Sequence, residues 1–122
     1  MRKIQISILI FLLLIGVVKI FFLFPLDYYE EIDEISKKYK ISSEAIYSVI
    51  KIESNFRENA ISHKGAIGLM QIMPSTGEWM AKSNDLLYSQ ELLLDPIYNI
   101  KIGTLYLSYL INRYEGDLEK VL

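Results

Sequence analysis

The chain has 122 residues, with 13 Lys and Arg against 15 Asp and Glu, a single His and no Cys. That length holds one small domain. A net charge of −2 provides no electrostatic footprint for nucleic acid, and the lack of cysteine excludes disulfides, thiolate metal sites and a lipid-modified N-terminal cysteine.

Apolar residues are concentrated at the N-terminus. Between Ile4 and Phe24 only Gln5, Ser7, Gly16 and Lys19 interrupt the hydrophobic run. As a helix rising about 1.5 Å per residue, the run is about 31 Å long and matches the roughly 30 Å hydrocarbon core of a bilayer. Arg2 and Lys3 precede it, while Asp27, Glu30 and Glu31 follow. The positive-inside rule therefore expects a cytoplasmic N-terminus and an extracytoplasmic remainder. A cleaved signal peptide is the rival reading, but Phe21 to Pro25 offer none of the small residues such a cleavage site uses. The expected organisation is a transmembrane anchor, or uncleaved signal sequence, over residues 1–25 and one domain over residues 26–122. Lys19 can snorkel to the headgroups and needs no functional role.

The domain reads as all-α. Pro25 ends the apolar helix. Asp27 to Lys40 predicts a charged amphipathic helix with Tyr28, Ile32, Ile35 and Tyr39 on one face. Ser42 or Ser43 caps the next helix, which runs through Ala45, Ile46, Val49 and Ile50 to about Ser54. Residues 55–73 have no regular period and read as a structured loop. Pro74 starts a helix that passes Trp79 and ends near Lys82. Asp95 caps, and Pro96 opens, a helix with an apolar stripe of Ile97, Ile100, Thr104, Leu107, Ile111 and Tyr114. Gly116 is expected to close it, with Asp117 capping a further helix.

Glu53 stands out on chemistry alone. Ile46, Val49 and Ile50 lie seven, four and three positions before it, so it shares their apolar face. It also falls in the last helical turn, where the helix dipole disfavours a carboxylate. Burial and dipole would both favour the neutral, protonated acid that a proton donor needs. The competing reading is a glutamate at the edge of the stripe with its carboxylate in water. His63, between Ser62 and Lys64, has no partner at metal-ligand spacing, and the acidic residues form no calcium-loop pattern. No metal and no cofactor is expected.

Glu53-Ser54-Asn55-Phe56, then Ala60, Ser62 and the run Gly65-Ala66-Ile67-Gly68-Leu69-Met70-Gln71-Ile72-Met73-Pro74, resembles the signature of the soluble-type lytic transglycosylases. The match continues through Ser75, Thr76 and Gly77 and resumes at Asp95-Pro96, Asn99-Ile100, Gly103, Tyr106 and Leu107. The resemblance covers roughly residues 39–122 and implies a lysozyme-like fold acting on peptidoglycan glycan strands. It implies Glu53 as the catalytic residue and Ser54, Gly68, Leu69, Met70 and Gln71 as substrate-binding residues. Ser54 would orient the acid, Gly65 and Gly68 would let a sugar approach the backbone, and Met70 and Gln71 would line the sugar cleft. Asn99 and Tyr106 would be mainly structural.

Most glycosidases flank the bond with two carboxylates, whereas the signature supplies one, and Glu58 matches no catalytic position. The resemblance implies that the glutamate serves as acid and then base, while the sugar's own 6-hydroxyl closes a 1,6-anhydro ring. Family members continue with an Ala-Tyr-Asn-Ala-Gly-like motif, to which no residue here corresponds. The alternatives are a membrane-tethered, non-catalytic peptidoglycan-binding remnant and, among enzymes, a lysozyme-type hydrolase.

Overall fold

The computed structural model describes the backbone of residues 1–23 and 27–121 and the side chains of residues 1–20 and 27–115. Five α-helices and one 3-10 helix appear among them: α1 (Arg2–Leu23), α2 (Tyr29–Tyr39), α3 (Ser43–Ser54), α4 (Pro74–Ser83), the 3-10 helix Gln90–Leu94, and α5 (Pro96–Val121). Helix α1 is long and apolar enough to cross a membrane by length and composition, and its side chains up to Ile20 are exposed. Pro25 lies outside the described residues.

The helix ends follow their local chemistry. The Ser42 hydroxyl accepts from the Ala45 N–H at 3.2 Å, satisfying one of the free donors at the start of α3. Asn55 ends α3 in the left-handed conformation and returns its N–H to the Lys51 carbonyl. At the start of α5, Asp95 Oδ1 accepts from the Tyr98 N–H at 2.7 Å, and Pro96 fills the first helical position. Helix α5 does not stop at Gly116 as expected but continues to Val121. A glycine inside a helix costs only about 1 kcal/mol, so it permits a stop without enforcing one.

Helix α5 is the axis of the domain, packing against α2, α4 and the 3-10 helix. The core is mostly isoleucine and leucine: Ile32 from α2, Ile46 and Ile50 from α3, Leu69 from the loop, Leu93 from the 3-10 helix, and Ile100 and Ile102 from α5 are fully buried. The 3-10 helix was not anticipated. Two tyrosines clamp the segment before it: the Tyr88 hydroxyl donates to the Pro74 carbonyl and the Tyr98 hydroxyl to that of Leu87. Burial pushes both phenols above their usual range. The stripe on α5 is buried at Ile100 and Thr104 but emerges at Ile111 and Tyr114.

Two buried polar residues on α5 differ in kind. Asn99 Oδ1 accepts from the Met70 N–H at 2.8 Å, and its Nδ2 donates to the carbonyls of Ile67 and Leu93 at 2.9 and 2.8 Å. Thr104 is equally buried, but its hydroxyl has no hydrogen-bond partner among the described residues. Removing a satisfied amide orphans its partners, whereas replacing an unpartnered hydroxyl with a methyl relieves a desolvation cost. Asn99→Ala is therefore expected to destabilise the domain by about 3 kcal/mol or more, and Thr104→Val to stabilise it by about 1 kcal/mol. Denaturant unfolding of both variants checks the opposite signs.

Candidate active site

The loop over residues 55–73 leaves α3 through two consecutive left-handed residues, Asn55 and Phe56. It then folds onto itself: Ile61 and Ile67 form one antiparallel bridge, and Ile67 and Ile72 another. The Ser62 hydroxyl accepts from the Ala66 N–H, and the Gly68 N–H donates to the Ala60 carbonyl at 2.8 Å. Gly68 has φ +79°, and a Cβ there would lie 2.7 Å from the Leu93 carbonyl oxygen and also collide with Asn99 Nδ2. Only glycine meets both demands. The Asn99 amide then fixes the next residue by holding the Met70 N–H.

This packing forms one wall of a cleft of about 350 Å³. Helix α3 contributes Val49 and Glu53; the loop contributes Met70, Gln71, Ile72 and Met73. Thr76 of α4 and Gly103, Tyr106 and Leu107 of α5 complete the lining. Among the described residues that line it, Glu53 is the one carboxylate. Glu58 lies instead in a separate polar basin with Asp27, Arg57 and Asn59. Gln71 adopts φ +51°, and its Nε2 donates to the carbonyls of Ala60 and Gly68. These bonds hold the amide at the cleft wall with Oε1 left to accept.

The structure brings Glu53, Met70 and Gln71 together on the cleft. Ser54, Gly68 and Leu69 do not reach it. The Ser54 hydroxyl turns back to the Ile50 carbonyl and is buried, so it is not turned toward Glu53 as expected. Leu69 is a fully buried core residue, and the missing side chain of Gly68 admits Asn99 rather than a sugar. Glu53 itself is exposed, unlike the buried Ile50 and Ile46 one and two turns earlier. It borders the apolar stripe, and the burial expected of it is not found. Tyr106, expected to be structural, lines the cleft. The spacing Gly103-Tyr106-Leu107 on one helix face was the available signal. His63 is exposed in the loop. Among the described residues, no three His, Cys, Asp or Glu side chains gather as a metal would need.

The family model described as Transglycosylase SLT domain matches residues 30–122. Among curated proteins, the chain is 36% identical over 88 residues to the membrane-bound lytic murein transglycosylase C of Haemophilus ducreyi, a match covering 66% of this chain and 23% of that protein. With the protein of the same name from Edwardsiella ictaluri it shares 33% over 101 residues, covering 75% of this chain and 26% of the other. Among solved structures, an inactive mutant of the lytic transglycosylase Slt from Pseudomonas aeruginosa superposes with a TM-score of 0.73 at 31% identity, covering 76% of this chain and 15% of that one. The 70-kDa soluble lytic transglycosylase, solved in complex with bulgecin A, gives 0.71 at 34% identity, covering 75% and 15%. The chain thus spans about a quarter of the length of these curated relatives.

Gly103 supports the cleft from beneath: a Cβ there would come within 2.8 Å of Met70 Cβ and would also strike the thioether sulfur. Backbone-proximal atoms cannot swing aside as a flexible chain end can. Gly103→Ala is expected to destabilise the domain by about 1–3 kcal/mol through overpacking and to displace Met70 at the cleft wall. Thermal unfolding followed by circular dichroism measures the first effect.

Proposed function

Because the chain belongs to the Transglycosylase SLT domain family, we propose that it is a membrane-anchored lytic transglycosylase that cuts the glycan strands of peptidoglycan, with Glu53 as the catalytic residue. The observation that carries this reading is that, among the described residues, a single carboxylate stands on a cleft otherwise lined by neutral side chains. The names of the curated relatives support the same substrate class.

One carboxylate suffices if the substrate supplies the nucleophile. Protonated Glu53 donates its proton to the glycosidic oxygen between N-acetylmuramic acid and N-acetylglucosamine, and the bond from the anomeric carbon to that oxygen breaks. The resulting carboxylate then removes the proton of the muramic acid 6-hydroxyl as its oxygen attacks the anomeric carbon. A 1,6-anhydro ring forms, Glu53 recovers its proton, and no water is consumed. The attacking hydroxyl belongs to the same sugar, so the step has the advantage of an intramolecular reaction.

The cleft assists in two ways. Val49 and Leu107 give the cleft that Glu53 borders an apolar lining, so a seated glycan excludes solvent from the exposed carboxylate. Gln71 Oε1 accepts from a sugar hydroxyl or acetamido N–H, while Met70 packs on a sugar face. Helix α1 crosses the cytoplasmic membrane with Arg2 and Lys3 inside, holding the residue 26–122 domain on the side where peptidoglycan lies.

Glu53→Gln keeps the size of the side chain and removes its proton chemistry. Solubilisation of purified peptidoglycan by the variant is expected to fall by about a thousandfold, in the range of lost general acid–base catalysis. Its circular dichroism is expected to match the parent chain. Undiminished cutting by the variant would refute Glu53 as the acid.

A further inference from the structure

A glycan strand is a polymer, so it must run past the cut bond and meet surface beyond the carboxylate. The structure offers such a surface on one side of the cleft. Thr76 and Tyr106 line the cleft, and three residues further along each helix stand Trp79 on α4 and Tyr109 on α5. Residues three apart share a helix face, so both helices continue the same wall by almost one turn. The Trp79 and Tyr109 rings meet nearly perpendicularly, with centroids 4.8 Å apart and planes at 85°. Tyr106 lies 6.3 Å from Trp79 at 75° and stacks on Tyr109. Edge-to-face packing of this kind fixes ring orientation. The indole is braced on two sides, yet 43% of it remains exposed.

Resting on the functional reading above, we propose that Trp79 and Tyr109 form a further subsite that binds a pyranose ring of the glycan beyond the sugars at Glu53. The occupant is defined by chemistry and by continuity. A pyranose presents an apolar face of C–H groups suited to an aromatic surface, and its rim of hydroxyls suits the adjacent phenols. Tyr106 belongs to both the cleft and the aromatic cluster, so a chain leaving the cleft passes directly onto the shelf. Trp79 is in this way a binding and specificity residue, selecting longer glycans over short ones, and takes no part in proton transfer.

Trp79 is the only tryptophan in the chain, so intrinsic emission reports on this site alone. The experiment uses the full chain carrying Glu53→Gln in lipid nanodiscs, titrated with the N-acetylglucosamine disaccharide and tetrasaccharide. Calorimetry is run in parallel, and cutting of peptidoglycan by the parent chain is measured separately. The tetrasaccharide is expected to change Trp79 emission saturably. Trp79→Ala is expected to weaken its binding about fivefold, the scale of one lost aromatic contact, with the disaccharide little affected and Trp79→Phe in between. Calorimetric binding of the tetrasaccharide with unchanged emission and equal affinity in Trp79→Ala overturns the subsite while leaving the catalytic reading intact. Emission that follows protein concentration instead of glycan overturns it in favour of self-association. A parent chain that neither binds nor cuts removes the functional reading, and the subsite with it.

Discussion

The carboxamide of Asn99 ties the loop over residues 55–73 and the 3-10 helix to α5: its oxygen holds the Met70 amide, and its nitrogen holds the carbonyls of Ile67 and Leu93. Each of these is a buried backbone group that would be costly to leave unpaired. The side chain rises from α5, so it adds a hydrogen-bonded tie from the central helix to both the loop over residues 55–73 and the approach to α5. Gly68 is required because the amide occupies the space of its Cβ, and Gly103 because Met70 settles against α5. The position of Met70 and Gln71 on the cleft follows from that constraint.

The remaining wall is built independently. Helix α3 is held by Ile46 and Ile50 in the core and ends at Asn55, which leaves Glu53 in the final turn at the rim. In the proposed mechanism, holding the acid on a helix and the sugar-contacting residues on a pinned loop separates two requirements. Under that proposal the helix sets where the proton is delivered, and the loop sets where the sugar lies.

Much of this was legible in the residues. The Ser42 and Asp95 caps, the Pro74 and Pro96 helix starts and the stripe through Ile100 and Thr104 obey local rules, and the structure follows them. The signature around Glu53 led to the correct family. Orientation was harder. Ser54 and Glu53 are adjacent, yet one turns into its own helix and the other faces the cleft, because neighbouring helical positions point about 100° apart. Gly68 and Leu69 directly precede cleft-lining residues, but Gly68 is pressed against Asn99, some thirty residues away, and Leu69 is buried in the core. The exposure of Glu53 could not be read from spacing because Glu53 lies at the border of the stripe, where half a turn decides between core and water. The 3-10 helix follows a segment held by long-range bonds from Tyr88 to Pro74 and from Tyr98 to Leu87, which no local pattern announces.

The central claim is that a lone glutamate suffices because the sugar's own hydroxyl completes the reaction. It is tested most directly by the mass of the fragments that the full chain releases from purified peptidoglycan. Fragments ending in 1,6-anhydro-N-acetylmuramic acid, lighter by one water than hydrolysed ones, are the expected result. Fragments carrying reducing ends would show that water takes the place assigned to the 6-hydroxyl, and would contradict the account.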